Sequence, residues 1–225
     1  SVQAIAKKKL GLITSLPHRL RLFEKCGIDR CIVLPFDDQV RQLTATEFAR
    51  TVFVEMLDLR VLVLGPDAHV GRDREGDIGF LSRFCASHGI RLETIDDLRL
   101  DGYRVSSTRI RAAIADGDLL RARAMLGRDV SMFGTVVAGD RRGRALGFAT
   151  ANLDLHHEIS PQAGVYAVRA RVADAWVDGV ANIGIRPTFG PDGDLTVVAH
   201  LLDHAADLYG SDLEVVLVAR LRDEL

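Results

Sequence analysis

The sequence has few cysteines and no long apolar segment, and these shortages exclude several classes of protein. Its three cysteines, Cys26, Cys31 and Cys85, are an odd number without C-x-x-C spacing. We therefore expect neither a disulfide framework nor a zinc site, and reduced thiols favour a cytoplasmic location. No apolar run approaches the roughly 18 residues that a membrane span needs. Internal repeats and low-complexity tracts are also lacking.

Neither sign of charge dominates. The chain has 29 Lys and Arg residues against 31 Asp and Glu residues, for a formal net charge of −2. This balance gives no reason to expect nucleic acid or an anionic membrane as a partner. A hydrophobic fraction of 48% over 225 residues is ordinary for a globular protein and allows one large domain or two small ones.

The first half of the chain alternates between helical and strand patterns. This alternation predicts a parallel sheet with helices over its faces. A capping-box pattern at Thr44-Ala45-Thr46-Glu47 opens one of the helices. The predicted helices are Pro17 to Cys26, Thr44 to Met56 and Ile78 to Ser87, and the predicted strands are Cys31 to Phe36, Arg60 to Leu64 and Ile90 to Ile95.

The second half is rich in short strand patterns. Two short helices between Ser107 and Gly127 precede it, and from Ser131 onward β-type runs alternate with glycine, proline and aspartate turns. This pattern predicts an antiparallel barrel or sandwich. We therefore expect two domains, residues 1–128 and 129–225. The predicted strands are Gly134 to Val137, Val165 to Val172, Trp176 to Val180, Leu195 to Leu202 and Leu213 to Val218.

One segment of the second half, Gly134 to Asn152, combines glycines, arginines and oxygen ligands in the sequence GTVVAGDRRGRALGFATAN. Glycines let a backbone approach a ligand closely, and arginines suit phosphate oxygens. Thr150 and Asn152 lie two residues apart, so in an extended segment their oxygens face one side and suit Mg²⁺. The pattern predicts a nucleotide site, and the alternative is a basic hairpin with a solvated tip.

Two candidate sites lie in the first half. Ser106, Ser107 and Thr108 are good cap residues at the start of a predicted helix, where free N–H groups attract an anion, and Arg109 adds charge. The alternative is an ordinary capped helix. Asp67 and His69 follow a predicted strand, at the end where open α/β sheets place ligands.

These motifs resemble those of the prokaryotic bifunctional riboflavin kinase/FMN adenylyltransferase family, also called FAD synthetase. The glycine-rich segment matches the flavokinase pattern G-x-V-x-x-G-x-x-x-G-R-x-x-G-F-P-T-A-N except that Ala149 replaces the proline. GVYAV, NIGIRPTF, AHLLD and DLYG follow in family order, and the R-x-E of Arg222 and Glu224 also fits. Upstream, VSSTRIR and LGR resemble the adenylyltransferase half.

The resemblance implies an α/β Rossmann-like nucleotidylyltransferase domain followed by an all-β flavokinase-type barrel. It implies transfer of the ATP γ-phosphate to riboflavin, giving FMN, and of AMP from ATP to FMN, giving FAD, with Mg²⁺ as cofactor. Thr150 and Asn152 would hold the metal. The residues expected to bind ATP or its phosphates are Ser106, Ser107, Thr108, Arg109, Gly134, Gly139, Arg144, Gly147, Thr150 and Asn152, with Asp67 and His69 as further candidates.

The chain also departs from the family pattern. The family has T-x-E-x-H, whose glutamate is the expected general base, where this chain has Val198 two residues before His200. The family motif G-x-F-D-G-x-H-x-G-H is not found, Ala68 and Val70 replace two aromatic residues, and the family continues beyond Leu225. From these departures we expect an incomplete chain with negligible adenylyltransferase activity and an impaired kinase.

Three hypotheses therefore stand. The first is an enzyme of FMN and FAD synthesis with impaired activity. The second is a catalytically inactive flavin- or nucleotide-binding module, which Val198 favours. The third is an FMN-binding barrel of the oxidoreductase class, which fits the β-rich half but not the α/β half.

Overall fold

The computed structural model describes residues 11–138, 150–156, 158–173, 175–186, 194–203 and 208–224. The chain folds into two compact units. The first unit is Ile32–Arg104. The second unit is Val105–Leu225 together with the segment that ends at Cys31, which contains helix α1 (Leu16–Lys25). The division into domains 1–128 and 129–225 stays a prediction.

The first unit is built around two parallel strands. Strand β1 (Val61–Leu64) pairs with β2 (Arg91–Thr94), which confirms the predicted parallel pairing of these two segments. Leu81, Phe84 and Cys85 are among the buried residues that form its core. The remaining elements are α2 (Asp38–Gln42), α3 (Ala45–Phe48) continuing as a π-helix (Ala49–Met56), a 3₁₀ turn (Arg72–Arg74), α4 (Ile78–Ser87), β3 (Arg99–Leu100) and β4 (Tyr103–Arg104).

The capping box predicted at the start of α3 is present. The Glu47 backbone N–H donates to Thr44 Oγ1 at 3.2 Å, and the Thr44 backbone N–H donates to Glu47 Oε2 at 2.8 Å. These reciprocal bonds satisfy two N–H groups at the helix end. Because Thr44 donates to the carboxylate, the pKa of Glu47 lies below its usual value.

The strand predicted over Cys31 to Phe36 is wrong. This segment has no regular secondary structure, and Ile32, Val33 and Phe36 are each more than half exposed. A strand requires a neighbour with which it exchanges backbone hydrogen bonds. Among the described strands, none pairs with this segment. The apolar run therefore has a strand-like composition, but among the described residues the segment does not form a strand.

The second unit contains a closed antiparallel barrel, which confirms the barrel alternative. Two short helices, α5 (Ser107–Ala115) and α6 (Leu119–Leu126), precede the barrel as predicted. The strands are β5 (Ser131–Val137), β6 (Thr150–Asp154), β7 (Gly164–Val172), β8 (Ala175–Arg186), β9 (Asp194–Leu201) and β10 (Asp212–Arg222). Around the barrel they follow the order β10-β5-β6-β9-β8-β7. Ile183, Val197 and Val215 point inward, each at most 2% exposed.

A buried polar network ties α1 to the barrel. The Glu158 carboxylate accepts hydrogen bonds from Ser15 N at 2.7 Å, His18 Nδ1 at 2.9 Å and Phe133 N at 3.0 Å. The other ring nitrogen of His18 lies 3.1 Å from Ser131 Oγ. A buried carboxylate is stable only with such donors, so this network holds the start of α1 against β5.

No helix among the described residues is long and apolar enough to cross a lipid bilayer.

Candidate functional site

The outer face of β6 carries the two predicted magnesium ligands. Ala151 and Leu153 are buried in the barrel, each at 6% exposure, whereas Thr150 and Asn152 are half-buried. Because side chains alternate along a strand, Thr150 and Asn152 share the face opposite the core. Their oxygens therefore lie on one side of β6, as the spacing predicts.

Strand register places Val198 beside this pair. Asn152 on β6 is the partner of Val198 on β9, and Val198 is in turn the partner of Asn182 on β8. Directly opposite residues of an antiparallel pair have Cβ atoms about 4.5–5.5 Å apart. The row from Asn152 to Asn182 thus has amide side chains at both ends and, at its centre, a valine that cannot accept a proton.

His200 lies one row further along the same face. It is the partner of Thr150 on β6, and the buried Ala199 separates it from Val198 along β9. Val198 and His200 therefore point to the same side of the strand, as predicted.

A carboxylate from near the end of the described chain lies beside Asn182 and over Gly184, both on β8. Glu224 follows β10, and its Oε1 lies 3.5 Å from Asn182 Nδ2. The carboxylate lies over Gly184, the partner of Thr196 on β9. Sequence reasoning did not assign Glu224 to the site; its only signal was the R-x-E pattern that ends the resemblance.

The glycine-rich segment is only partly described. Gly134 lies in β5, and a side chain there would collide with the backbone carbonyl of Asp154. Gly134 is thus needed for close strand packing, whatever else it does. Gly139, Arg144, Gly147 and Ala149 lie outside the described residues, so their predicted roles remain predictions. Pro187, Thr188 and Phe189 of the NIGIRPTF motif lie outside them too.

Helix α5 begins where the serine-rich motif predicts. Ser106 is the N-cap, and its hydroxyl accepts from the Arg109 backbone N–H at 3.4 Å. Ser107 and Thr108 are exposed in the first turn. This end of the helix can present its N–H groups and dipole to an anion. Binding of ATP phosphates there remains a prediction.

Asp67 and His69 lie in the first unit. The Asp67 carboxylate pairs with the Arg104 guanidinium, which also contacts Asp97 Oδ1 at 3.1 Å. The hydrogen bond that Arg104 donates to the Asp67 carboxylate is the main reason that the pKa of Arg104 is raised. His69 Nδ1 lies 2.8 Å from the Asp67 carbonyl oxygen and 3.1 Å from Arg74 Nη2. Both candidates thus have partners within the unit, and a ligand role for them remains a prediction.

The donor set on β6 fits Mg²⁺ better than a transition metal. Within the described ranges, no three His, Cys, Asp or Glu side chains converge on one point. Thr150 and Asn152 offer two neutral oxygens on one face. Mg²⁺ prefers oxygen ligands and keeps several bound waters, and substrate phosphates commonly complete its coordination shell. A site with few protein ligands therefore suits it.

Both halves of the chain match known families. The family model described as FAD synthetase matches residues 2–109, and the one described as riboflavin kinase matches residues 126–225. The bifunctional riboflavin kinase/FMN adenylyltransferase of Escherichia coli strain K12 is 39% identical over 214 residues, which are 94% of this chain and 68% of that protein. The chain belongs to this family.

Other bifunctional riboflavin kinase/FMN adenylyltransferases give similar matches. The protein of Pseudomonas fluorescens is 41% identical over 198 residues, 88% of this chain and 64% of that protein. For the Haemophilus influenzae protein the identity is 36% over 222 residues, 98% of this chain and 72% of that protein. The chain thus spans between 64% and 72% of the length of these three relatives.

A solved structure has the same fold. The crystal structure titled a macrolide-efflux protein from Streptococcus pneumoniae superposes with a TM-score of 0.80 at 28% identity. The match covers 99% of this chain and 73% of that one.

Proposed function

We propose that the barrel half of the chain phosphorylates riboflavin, transferring the γ-phosphoryl group of ATP to the 5′-hydroxyl to give FMN and ADP. The α/β half would transfer AMP from ATP to FMN, giving FAD and pyrophosphate. The observation that carries the proposal is the row of Asn152, Val198 and Asn182, with Thr150 beside it, on the outer face of a barrel in a chain of this family. ATP as substrate also favours the cytoplasm.

Thr150 and Asn152 would hold Mg²⁺ together with the nucleotide phosphates. When bound, the ion neutralises charge on the transferring phosphoryl group. The protein residues contribute by positioning: the two oxygens are fixed on one face of β6 because Ala151 and Leu153 are locked in the core. Phosphoryl transfer depends mainly on such positioning and on charge stabilisation.

The second candidate is a flavin- or nucleotide-binding module without catalytic activity. Val198 favours it, because a positioned base contributes about 10²–10⁴-fold in rate and valine cannot act as one. This candidate predicts nucleotide binding without formation of FMN or FAD.

Nucleotide binding is tested first. Calorimetric titration with ATP should show binding that requires Mg²⁺ and weakens in Thr150→Ala, since one metal ligand is lost. Ser160→Ala is the matched control: its hydroxyl bonds to the Pro161 carbonyl in the same unit, and Ser160 is not part of strand β6. Equal affinity in the wild type and Thr150→Ala would contradict the placement of the site.

Turnover then separates the two candidates. Chromatography would follow riboflavin conversion to FMN, and FMN conversion to FAD, with ATP and Mg²⁺. FMN formation above an enzyme-free control supports the kinase. Binding without either product would support the inactive module instead.

A further inference from the structure

The proposed kinase reaction needs a proton acceptor that β9 does not supply. As the riboflavin 5′-oxygen attacks the γ-phosphorus, its hydroxyl proton must leave, and a positioned base accelerates such a step. The neighbour of Asn152 on the outer barrel face is Val198, which has no acceptor. The question is which other group on this face can take the proton.

Glu224 brings a carboxylate to this position from another part of the chain. Its Oε1 lies 3.5 Å from the side-chain nitrogen of Asn182, and Asn182 is the cross-strand partner of Val198. The carboxylate therefore contacts the β8 side chain that lies directly opposite Val198. Neighbouring strands lie about 4.8 Å apart, so Asn182 and Val198 are adjacent side chains on the outer face.

Gly184 makes room for this carboxylate. A Cβ at residue 184 would overlap the Glu224 carboxyl oxygens, so the side chain occupies space that only glycine leaves open. Asn182 then donates a hydrogen bond to the carboxylate and orients it. Gly184 below the carboxylate and the Asn182 amide beside it therefore fix the position of the carboxylate on β8.

The nearby alternatives on the face are less suitable. Asp154 lies two residues beyond Asn152 on β6, but its Oδ1 accepts from the His156 backbone N–H at 3.1 Å in the turn that follows. His200 lies beside Thr150, in the row next to that of Val198. The family pattern T-x-E-x-H has this histidine in addition to the glutamate, so its presence does not by itself replace the missing carboxylate.

We propose that Glu224 is the proton acceptor of the riboflavin kinase reaction in this chain and replaces the missing carboxylate at residue 198. In the step, the riboflavin 5′-oxygen forms a bond to the γ-phosphorus, and the bond between that phosphorus and the β,γ-bridging oxygen breaks. The electron pair of the broken bond leaves with ADP. The hydroxyl proton passes to the Glu224 carboxylate and then to solvent. This inference rests on the proposed kinase function.

The test measures FMN formation and ATP–Mg²⁺ affinity in the full chain. Glu224→Gln keeps the shape and removes the acceptor, so kcat should fall by about 10²–10⁴-fold with nucleotide affinity unchanged. Gly184→Ala keeps the carboxylate but puts a methyl group in the space that it occupies. This variant should lower kcat by up to about 10²-fold, the cost of a displacement of about 1 Å. Asp154→Asn, the matched control, should leave kcat unchanged.

A rescue variant separates a catalytic role from a structural one. Val198→Glu combined with Glu224→Gln should recover FMN formation, because it puts a carboxylate one strand away. Wild-type activity in Glu224→Gln would overturn the inference. The inference would also be overturned if the wild-type chain formed no FMN while Val198→Glu alone did. The kinase function would then hold, but Glu224 would not be its proton acceptor. If neither forms FMN although ATP binds, the proposed kinase function itself fails, and the inference with it.

Discussion

Replacing Glu158 with alanine is the most direct test of how the second unit is held together. The side chain of Glu158 is 1% exposed and accepts from two backbone N–H groups and from His18 Nδ1. Alanine would leave the N–H groups of Ser15 and Phe133 buried and unpaired, at about 1–3 kcal/mol each. Adding about 1 kcal/mol for the lost bond to His18, we expect the free energy of unfolding to fall by about 3–7 kcal/mol.

Urea unfolding followed by tryptophan fluorescence measures this change. Trp176 is the single tryptophan of the chain and lies in β8, in the same unit as the network. Asp129→Ala is the matched control: that carboxylate is half-exposed and pairs with Arg123 Nε at 3.2 Å, so its loss should cost at most about 1 kcal/mol. A Glu158→Ala variant within about 1 kcal/mol of the wild type, with an unchanged urea dependence, would refute the argument.

Three further predictions concern the first unit and the thiols. Thr44→Ala should destabilise α3 by about 1 kcal/mol, measured by amide hydrogen exchange in that helix, and unchanged protection would contradict the cap. Because folding lowers the pKa of Glu47, its carboxylate stabilises the folded protein above the ordinary pKa of 4.5. This stabilisation is lost as the pH falls through the lower pKa of the folded state. Glu47→Gln should remove this pH dependence of stability. Iodoacetamide should alkylate the exposed Cys26 and Cys31 in the native protein but Cys85 only in urea, because Cys85 is fully buried and burial raises its pKa. Equal native rates for the three thiols would show that the core around Cys85 opens readily.

The sequence by itself determined the features that depend on neighbours along the chain. The cap at Thr44, the helix start at Ser106 and the two-residue spacing of Thr150 and Asn152 were all predictable, because caps and strand faces are set within a few residues. Short β-rich runs between turns likewise indicated five of the six barrel strands, whereas β6 (Thr150–Asp154) was not among the predicted strands. The family resemblance added the chemistry expected at these positions.

Only the tertiary structure decided what depends on pairing between distant segments. Cys31 to Phe36 has a strand-like composition, but a strand exists only where another backbone accepts its hydrogen bonds. The row of Asn152, Val198 and Asn182 follows from the register of three strands. Glu224 reaches that row because barrel closure brings the end of β10 close to β8, and because Gly184 leaves space there. Register and closure are global properties, so no local pattern encodes them.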